Sequence, residues 1–306
     1  MFGMDLGSLD VGIVIVNWNT RDLLRRCLKS LLASQGVDLA VCVVDNNSDD
    51  ESADMVASEF PQVHLIRNTR NAGYPAANNQ GLMWLGFDDP HLRPGSADGA
   101  ARYALLLNAD TEVPIDALSK VIAFADAHPG IGVVGPKLVK PDGSLDRACR
   151  RSFPTPIISF YRLTGLAELF PNSRRFGRYN LTYLDEDRVA EVDSVVGAFM
   201  LVRREAIMEA GLLDEAFFMY GEDLDWAYRM KSGGWKVYYY PEVVVTHVKR
   251  ASSRQNPRAR VEFWRAMEIF YQKHYAAETP LVIHWLILAA VRFKMWLMRW
   301  QIRLDA

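Results

Sequence analysis

The feature that most constrains the fold is a set of short apolar runs, each closing on Asn or Asp. "VGIVIVN" (11–17), "LAVCVVD" (39–45), "VHLIRN" (63–68) and "YALLLNAD" (103–110) are aliphatic and β-branched, with no alternation of apolar and polar positions. Continuous runs of this kind are strands covered on both faces. Between the first two, Leu23, Leu24, Cys27, Leu28, Leu31 and Leu32 recur at helical spacing, with Asn19 or Thr20 as the cap. A polar turn, "NNSDDES", opens a second helix at roughly 51 to 59. Strands that alternate with helices predict an α/β chain whose mainly parallel sheet is flanked by helices. Such sheets bind ligands beyond the carboxyl ends of their strands, where Asn17, Asp45, Asn68 and Asn108 to Asp110 all fall.

Past residue 84 the pattern loosens. "FDDPHLRPGSADGAA" (87–101) is a Pro- and Gly-rich loop, followed after the fourth strand by a helix near 115 to 127, the strand "IGVVGPKLV" and a hairpin turn at "KPDGSL". Residues 146 to 188 carry many Arg, Phe and Tyr residues with little periodicity and read as a mobile substrate loop. Order returns with "VVGAFMLVRREAI", the helix of "GEDLDWAYRMKSGGW", and two strands, "KVYYYP" and "VVVTHV".

Composition enters as a filter. A chain of 306 residues, half of them hydrophobic, can bury the core of one large or two small domains, and a net charge of −2 gives no bias toward nucleic acid. Cys27, Cys42 and Cys149 have no metal-ligand spacing and read as reduced core residues, in keeping with a cytoplasmic protein. The opening "MFGMDLGSLD" lacks the basic and apolar blocks of a signal peptide.

The polar strand ends then need chemistry. In "LLLNAD", a carboxylate at the rim of an apolar core must be solvated, paired or bound to a cation; an N-x-D step is a common turn, and it can also hold a hard divalent cation shared with substrate phosphates. Asp45 either caps a turn or accepts a hydrogen bond from a nucleotide base. "NAGYPAANNQG" brings Asn71, Gly73, Asn78 and Asn79 to a helix start, where small residues admit a diphosphate to free N–H groups, or simply let helix and sheet pack closely. It is neither GxGxxG nor a P-loop, which disfavours an oxidoreductase or a kinase. In "FFMYGEDLDWAYR", Asp225 and Arg229 fit an i,i+4 ion pair, whereas Glu222 and Asp223 follow an aromatic loop better suited to a substrate pocket than to a solvated cap. His247, at the end of "VVVTH", is either a satisfied core group or part of a metal shell.

In order, "VIVNWN", "VVDNNSDD", "RNAGYPAANNQG", "LLLNAD", "VVGAFMLVRREAI", "GLLDEAFFMYGEDLDWAYR" and "GWKVYYYPEVVVTH" resemble family 2 of the glycosyltransferases, inverting nucleotide-sugar enzymes of GT-A fold, and most closely its rhamnosyltransferase-like branch. The resemblance spans about residues 11 to 250. It implies that Asp45 contacts the base, that Asn17, Asn71, Gly73 and Asn78 line the nucleotide, and that Asn108 sits near the ribose or diphosphate. Asp110 would bind Mg²⁺ or Mn²⁺, with His247 as a further ligand, because Asn108 replaces the first acid of the family's D-x-D. Asp223 matches the catalytic base, with Glu222 beside it, and Gly197 and Ala198 would line the sugar pocket. The implied partners are a nucleotide-sugar donor and a glycan or lipid-linked acceptor, with rhamnose from dTDP-rhamnose as one donor. A UDP-hexose transferase and a nucleotide-sugar-binding protein without turnover are the alternatives. The loop at 87 to 101 is longer than the family's.

The same reading divides the chain into a transferase domain, 1–250, with a nucleotide-sugar-binding half (11–113) and an acceptor half (114–250), and a helical extension, 251–306. In that extension Thr279 and Pro280 open a helix whose uninterrupted apolar stretch, Trp285 to Val291, is too short to span a bilayer. Arg292, Arg299 and Arg303 on one face, with Trp285, Trp296 and Trp300, suit a helix lying in the cytoplasmic leaflet, and packing on the core or on a second subunit is the other reading.

Overall fold

β1 (Val11–Asn17), β2 (Leu39–Asp45) and β4 (Tyr103–Asn108) lie side by side and parallel, with β3 (His64–Arg67) outside β2. The computed structural model describes residues 9–89, 91–92, 100–248 and 259–305, with side chains through residue 302. Most of the 87–101 loop and the N-terminal eight residues lie outside that set. Val11, Ile13, Val14, Ile15, Leu105 and Leu106 have no exposed surface, so both faces of these strands are covered. α1 (Arg21–Leu32) and α2 (Ser52–Glu59) connect the strands, and α3 (Tyr74–Trp84) crosses closely over β1. Gly81 makes that crossing possible, because a Cβ there would stand 2.5 Å from a methyl of Val14.

Beyond β4 the sheet becomes mixed. β8 (Phe199–Arg203) runs antiparallel to β4 and separates it from β6 (Ile131–Val139), which pairs in parallel with β9 (Lys236–His247). α4 (Ala117–Asp126) leads into β6, and β5 (Thr111–Glu112) and β7 (Ala190–Val192) add antiparallel edges to β9. The two strands expected at 236–248 are one bent strand: its register with β6 jumps from Tyr240 to Val244 between Pro136 and Lys137. Because β8 is reversed, its first residues meet the carboxyl end of β4, where the Asn108 N–H donates to the Ala198 carbonyl at 3.0 Å. The carboxyl ends of β1, β2, β4 and β9 and the turn before β8 thus share one edge.

The segment 146–188 is folded rather than loose. It holds α5 (Pro156–Leu163), capped by the Thr155 hydroxyl, and the single turn α6 (Leu166–Leu169). Arg150 ties its two ends together by donating to the carbonyls of Asp185 and Leu184 at 2.6 and 2.8 Å. Elements this short give no readable period, which is why sequence pattern alone suggests a loop.

α7 (Arg204–Ala210) follows β8, and α8 (Glu222–Ser232) presents its first turn to the ligand edge. α9 (Ala259–His274) packs on α8 through Phe217, Leu224, Ala266 and Phe270. Fully buried Asp225 joins the two helices: it accepts from Arg229 at 2.9 Å, the expected i,i+4 pair, and from His274 and Lys273 at 2.7 and 2.8 Å. Burial alone would raise its pKa, but these three donors outweigh it and hold the carboxyl at about 2. α10 (Leu281–Asp305) folds back along α9. It buries Leu288, Val291 and Met295 and leaves Trp285, Leu286, Phe293, Trp296 and Trp300 exposed. Its stretch Leu281–Ile302, of mean hydropathy 1.6, is long and apolar enough to cross a membrane by length and composition. The shorter run counted from sequence stops at Arg292, which pairs with Glu268 of α9 at 2.8 Å.

Cys27, Cys42 and Cys149 are buried free thiols, pushed up to about 12, 12 and 11 by desolvation.

Candidate active site

Asn17 and Asp45 end neighbouring parallel strands in direct register. The Asn17 amide donates to Asp45 Oδ1 at 3.0 Å and to Ser48 Oγ at 3.1 Å, and its carbonyl accepts from Thr20 Oγ1 at 2.6 Å. With no exposed surface and every side-chain polar atom engaged, Asn17 braces Asp45. The Ser48 N–H binds the other Asp45 oxygen at 3.0 Å, so the carboxylate is held from both sides.

Asn46 organises the adjacent turn. Its amide donates to Asn71 Oδ1 and the Gly73 carbonyl, and its carbonyl accepts from Asn68 and from the Ala72 N–H, all within 3.2 Å. Gly73 has φ +90°, and a Cβ there would come within 2.7 Å of the Phe218 carbonyl, so only glycine fits. Asn78 is fully buried and donates to the Tyr74 carbonyl at 2.9 Å; Asn79 holds the Leu213 backbone and Glu215. Asn79 thus ties α3 to the 213–215 segment, whereas Asn78 bonds within α3 and keeps its Oδ1 buried with no hydrogen-bond partner. The Tyr74 hydroxyl lies between Asn108 Oδ1 and the Gly197 carbonyl at 3.1 and 3.0 Å.

Asp110 and His247 meet at the rim, Oδ1 to Nε2 at 3.3 Å, with the Asn108 amide 3.4 Å from the same nitrogen. The opposite ring nitrogen, Nδ1, lies 3.0 Å from Oδ2 of fully buried Asp146. Burial alone would lower the imidazole pKa, but the two carboxylates outweigh it and push it up to about 9. A carboxylate oxygen and an imidazole nitrogen converging at a sheet edge are chemically suited to a divalent cation. Among the described residues no three acids, histidines or cysteines close on one point, so a cation here would draw its remaining ligands from substrate and water.

The two acids at the start of α8 have opposite environments. Asp223 Oδ2 accepts from Arg151 Nη2 at 2.7 Å and from the Gly197 N–H at 3.0 Å, and Oδ1 accepts from the Leu224 N–H at 2.7 Å. Arg151 is itself buried, also donates to the Val195 carbonyl at 2.7 Å, and is held charged by Asp223 against the cost of its burial. Glu222 Oε2 is buried with no hydrogen-bond partner, and desolvation, helped by the neighbouring Asp223 charge, raises the Glu222 carboxyl to about 8.

The fold thus brings Asp45, Asn71, Gly73, Asn108, Asp110, Gly197, Ala198, Glu222, Asp223 and His247 to one edge. Sequence reasoning missed Asn46, Tyr74, Asp146 and Arg151. The first two sit inside motifs singled out for their neighbours. Asp146 and Arg151 fall in the aperiodic segment and lie 101 and 72 positions from their partners, a separation that no local pattern reports.

Comparison with known proteins agrees with this geometry. The family model described as "Glycosyltransferase like family 2" matches residues 9–261. The chain is 27% identical over 249 residues to an N-acetylglucosaminyl-diphospho-decaprenol L-rhamnosyltransferase of Mycobacterium tuberculosis, covering 81% of this chain and 79% of that protein. It is 24% identical to a low-salt glycan biosynthesis hexosyltransferase of Haloferax volcanii, over 72% of this chain and 62% of that one. Among solved structures, GalNAc-T7 with UDP, GalNAc and Mn²⁺ superposes with a TM-score of 0.56 at 17% identity, and S. aureus TarS with 0.54 at 13%. The alignments cover 89% and 94% of this chain but only 52% and 43% of those longer ones.

Proposed function

The chain belongs to the glycosyltransferase-like family 2, and from that premise we propose that it is a metal-dependent inverting transferase moving a hexose or deoxyhexose from a nucleotide sugar to a glycan or lipid-linked acceptor. Rhamnose carried by dTDP is the donor we favour, on the strength of the mycobacterial relative, which aligns over most of both chains. The observation that carries the reading is the meeting of a base-side carboxylate, an Asp–His pair and a buried acid pair on one sheet edge. Asp45 is held ready to accept from a base N–H. The turn at Asn71 to Gly73 and the start of α3 offer small residues and backbone N–H groups to the diphosphate. Asp110 and His247 would hold Mg²⁺ or Mn²⁺, which when bound neutralises charge on the departing nucleoside diphosphate.

Inversion needs a proton acceptor on the face of the sugar away from that group. Asp223 is our choice, beside the Gly197 backbone that lines the sugar side. A second reading rests on one observation: Glu222 carries a buried, unpartnered oxygen and titrates near neutrality, where a general base is most effective, while Asp223 is tied to Arg151. The exposed face of α10 and its apolar length support contact with the inner face of a membrane that carries a lipid-linked acceptor. The test is a screen of dTDP- and UDP-sugars with polyprenyl-diphosphate-linked acceptors, read by nucleoside diphosphate release. Turnover with dTDP-rhamnose is expected. Turnover with a UDP-hexose alone replaces the donor, and tight donor binding without any release removes the transferase reading.

A further inference from the structure

His247 poses a question that the Asp110 contact does not answer. Its ring is held by two carboxylates, one on each nitrogen, and only the Asp110 side faces the ligand edge. Asp146 has no exposed surface and cannot itself reach a ligand. It is fixed on every side: its N–H donates to the Leu138 carbonyl at the end of β6, its carbonyl accepts from the Cys149 N–H, and its Oδ1 accepts from the Ala148 N–H at 3.1 Å. A carboxylate immobilised in this way presents Oδ2 to Nδ1 in one direction. Oδ2 stands 3.0 Å from Nδ1, placed to accept its N–H, and the ring thereby turns Nε2 toward Asp110.

We propose that Asp146 is a positioning residue that holds the His247 ring by Nδ1 with Nε2 aimed at the Asp110 rim, the orientation in which the imidazole can ligate a divalent cation. The inference rests on the metal reading given above. Metal-ligating histidines ordinarily donate their second nitrogen to a carboxylate or carbonyl, which sets tautomer and ring angle and raises ligand basicity. Here that carboxylate comes from the short turn after β6, a segment distant in sequence from both Asp110 and His247. The competing account is that Asp146 merely caps its turn through Ala148. It leaves unexplained why a fully buried acid should spend its second oxygen on the imidazole at the ligand edge.

The test separates the two accounts. Mn²⁺ affinity is measured on the full chain by the EPR signal of free Mn²⁺, with dTDP and separately with UDP present. Asp146→Asn and Asp146→Ser both keep an acceptor for the Ala148 N–H while withdrawing the charge from Nδ1, and thermal melts confirm that each is folded. We expect each to weaken Mn²⁺ binding by about 10- to 100-fold, the usual cost of losing such a partner. His247→Ala should lose a comparable factor, and Asp146→Asn added to His247→Ala should lose nothing more, because the acid acts only through the ring. In the Mg²⁺-loaded wild type, long-range ¹H–¹⁵N spectra should show His247 protonated on Nδ1. Unchanged Mn²⁺ affinity in both Asp146 variants, or losses that multiply in the double variant, would overturn the inference while leaving the cation site standing. Equal Mn²⁺ binding by wild type and Asp110→Ala overturns the metal reading itself, and the inference with it.

Discussion

Asp223→Asn is the substitution on which the transfer mechanism turns. The native carboxylate takes three donors: Arg151 Nη2 and the Gly197 N–H on one oxygen and the Leu224 N–H on the other. An asparagine has one oxygen, so its NH₂ must face an N–H donor, and the buried Arg151 loses its counter-charge. Breaking a buried ion pair from one side costs about 3–5 kcal/mol, and the retained carbonyl contact places this case near 3. At roughly 2–4 °C per kcal/mol the melting temperature should fall by about 6–12 °C. Activity, measured as nucleoside diphosphate release well below that lowered midpoint, should fall by about 10²-fold or more, the usual contribution of a general base, with little change in donor affinity. Glu222→Gln supplies the contrast. Its Oε2 has no partner to lose, and with the role of acceptor contact it should raise the acceptor KM more than it lowers kcat.

Glu222 also carries a pH signature of its own. Glu222 rises from an ordinary 4.5 to about 8 in the folded chain, so between those values the native state keeps a proton that the unfolded chain has released. Stability from this group is therefore highest below about pH 4.5, falls as pH rises toward 8 and levels off above it, by up to roughly 5 kcal/mol. Glu222→Gln should abolish that slope and be more stable than wild type at pH 9. If Asp223→Asn keeps near-normal kcat while Glu222→Gln is dead, the proton acceptor is Glu222. If both variants turn over normally, the base lies elsewhere and the mechanism fails; parallel stability curves for wild type and Glu222→Gln from pH 5 to 9 refute the account of Glu222.

Three further outcomes follow from the geometry. Asp110→Ala should abolish Mn²⁺-dependent donor binding in calorimetry, with His247→Ala weakening it less; normal binding by Asp110→Ala removes the cation from this edge. Gly73→Ala, at φ +90° and against the Phe218 carbonyl, should cost about 1–3 kcal/mol in denaturant melts and loosen donor binding through the displaced Tyr74; an unchanged melt contradicts the close approach. A chain ending near residue 278 should lose sedimentation with anionic liposomes and keep donor binding, and equal sedimentation of full and shortened chains returns α10 to a packing role.

What could be read in advance follows from what local pattern encodes. The strands ending at Asn17, Asp45 and Asn108 are legible because a strand covered on both faces is apolar throughout, and a polar residue at its end can only be a rim residue. Gly73 is legible because it stands directly before a helix start, with Ala72, Ala76 and Ala77 close by in sequence. The reversal of β8 is not, since an antiparallel strand inside an α/β sheet has the same composition as a parallel one. Asn17 shows the converse limit: pattern places it at the right edge but does not say whether its amide faces a ligand or is consumed by its neighbours. The partner of Asp223 and the partner of His247 both come from 146–188, where α5 spans two turns and α6 one. Periodicity needs more length than that to register, and the choice of Arg151 for Asp223 is made by topology rather than by any neighbour in sequence.

Asn108 links these pieces and accounts for the missing first acid of its motif. Its amide stands between the Tyr74 hydroxyl and His247 Nε2, and Tyr74 continues to the Gly197 carbonyl, whose own residue donates its N–H to Asp223. Asn108, Tyr74 and Gly197 thus stand in line between the Asp110–His247 corner and Asp223, the one Tyr74 hydroxyl proton serving either Asn108 Oδ1 or the Gly197 carbonyl at a time. A carboxylate at 108 would put a third acid around the imidazole that Asp110 and Asp146 already flank. The neutral amide keeps these contacts and leaves Asp110, in the turn after β4, as the acid of the motif. On the proposed metal reading, a cation at this rim would rest on Asp110 and the His247 ring.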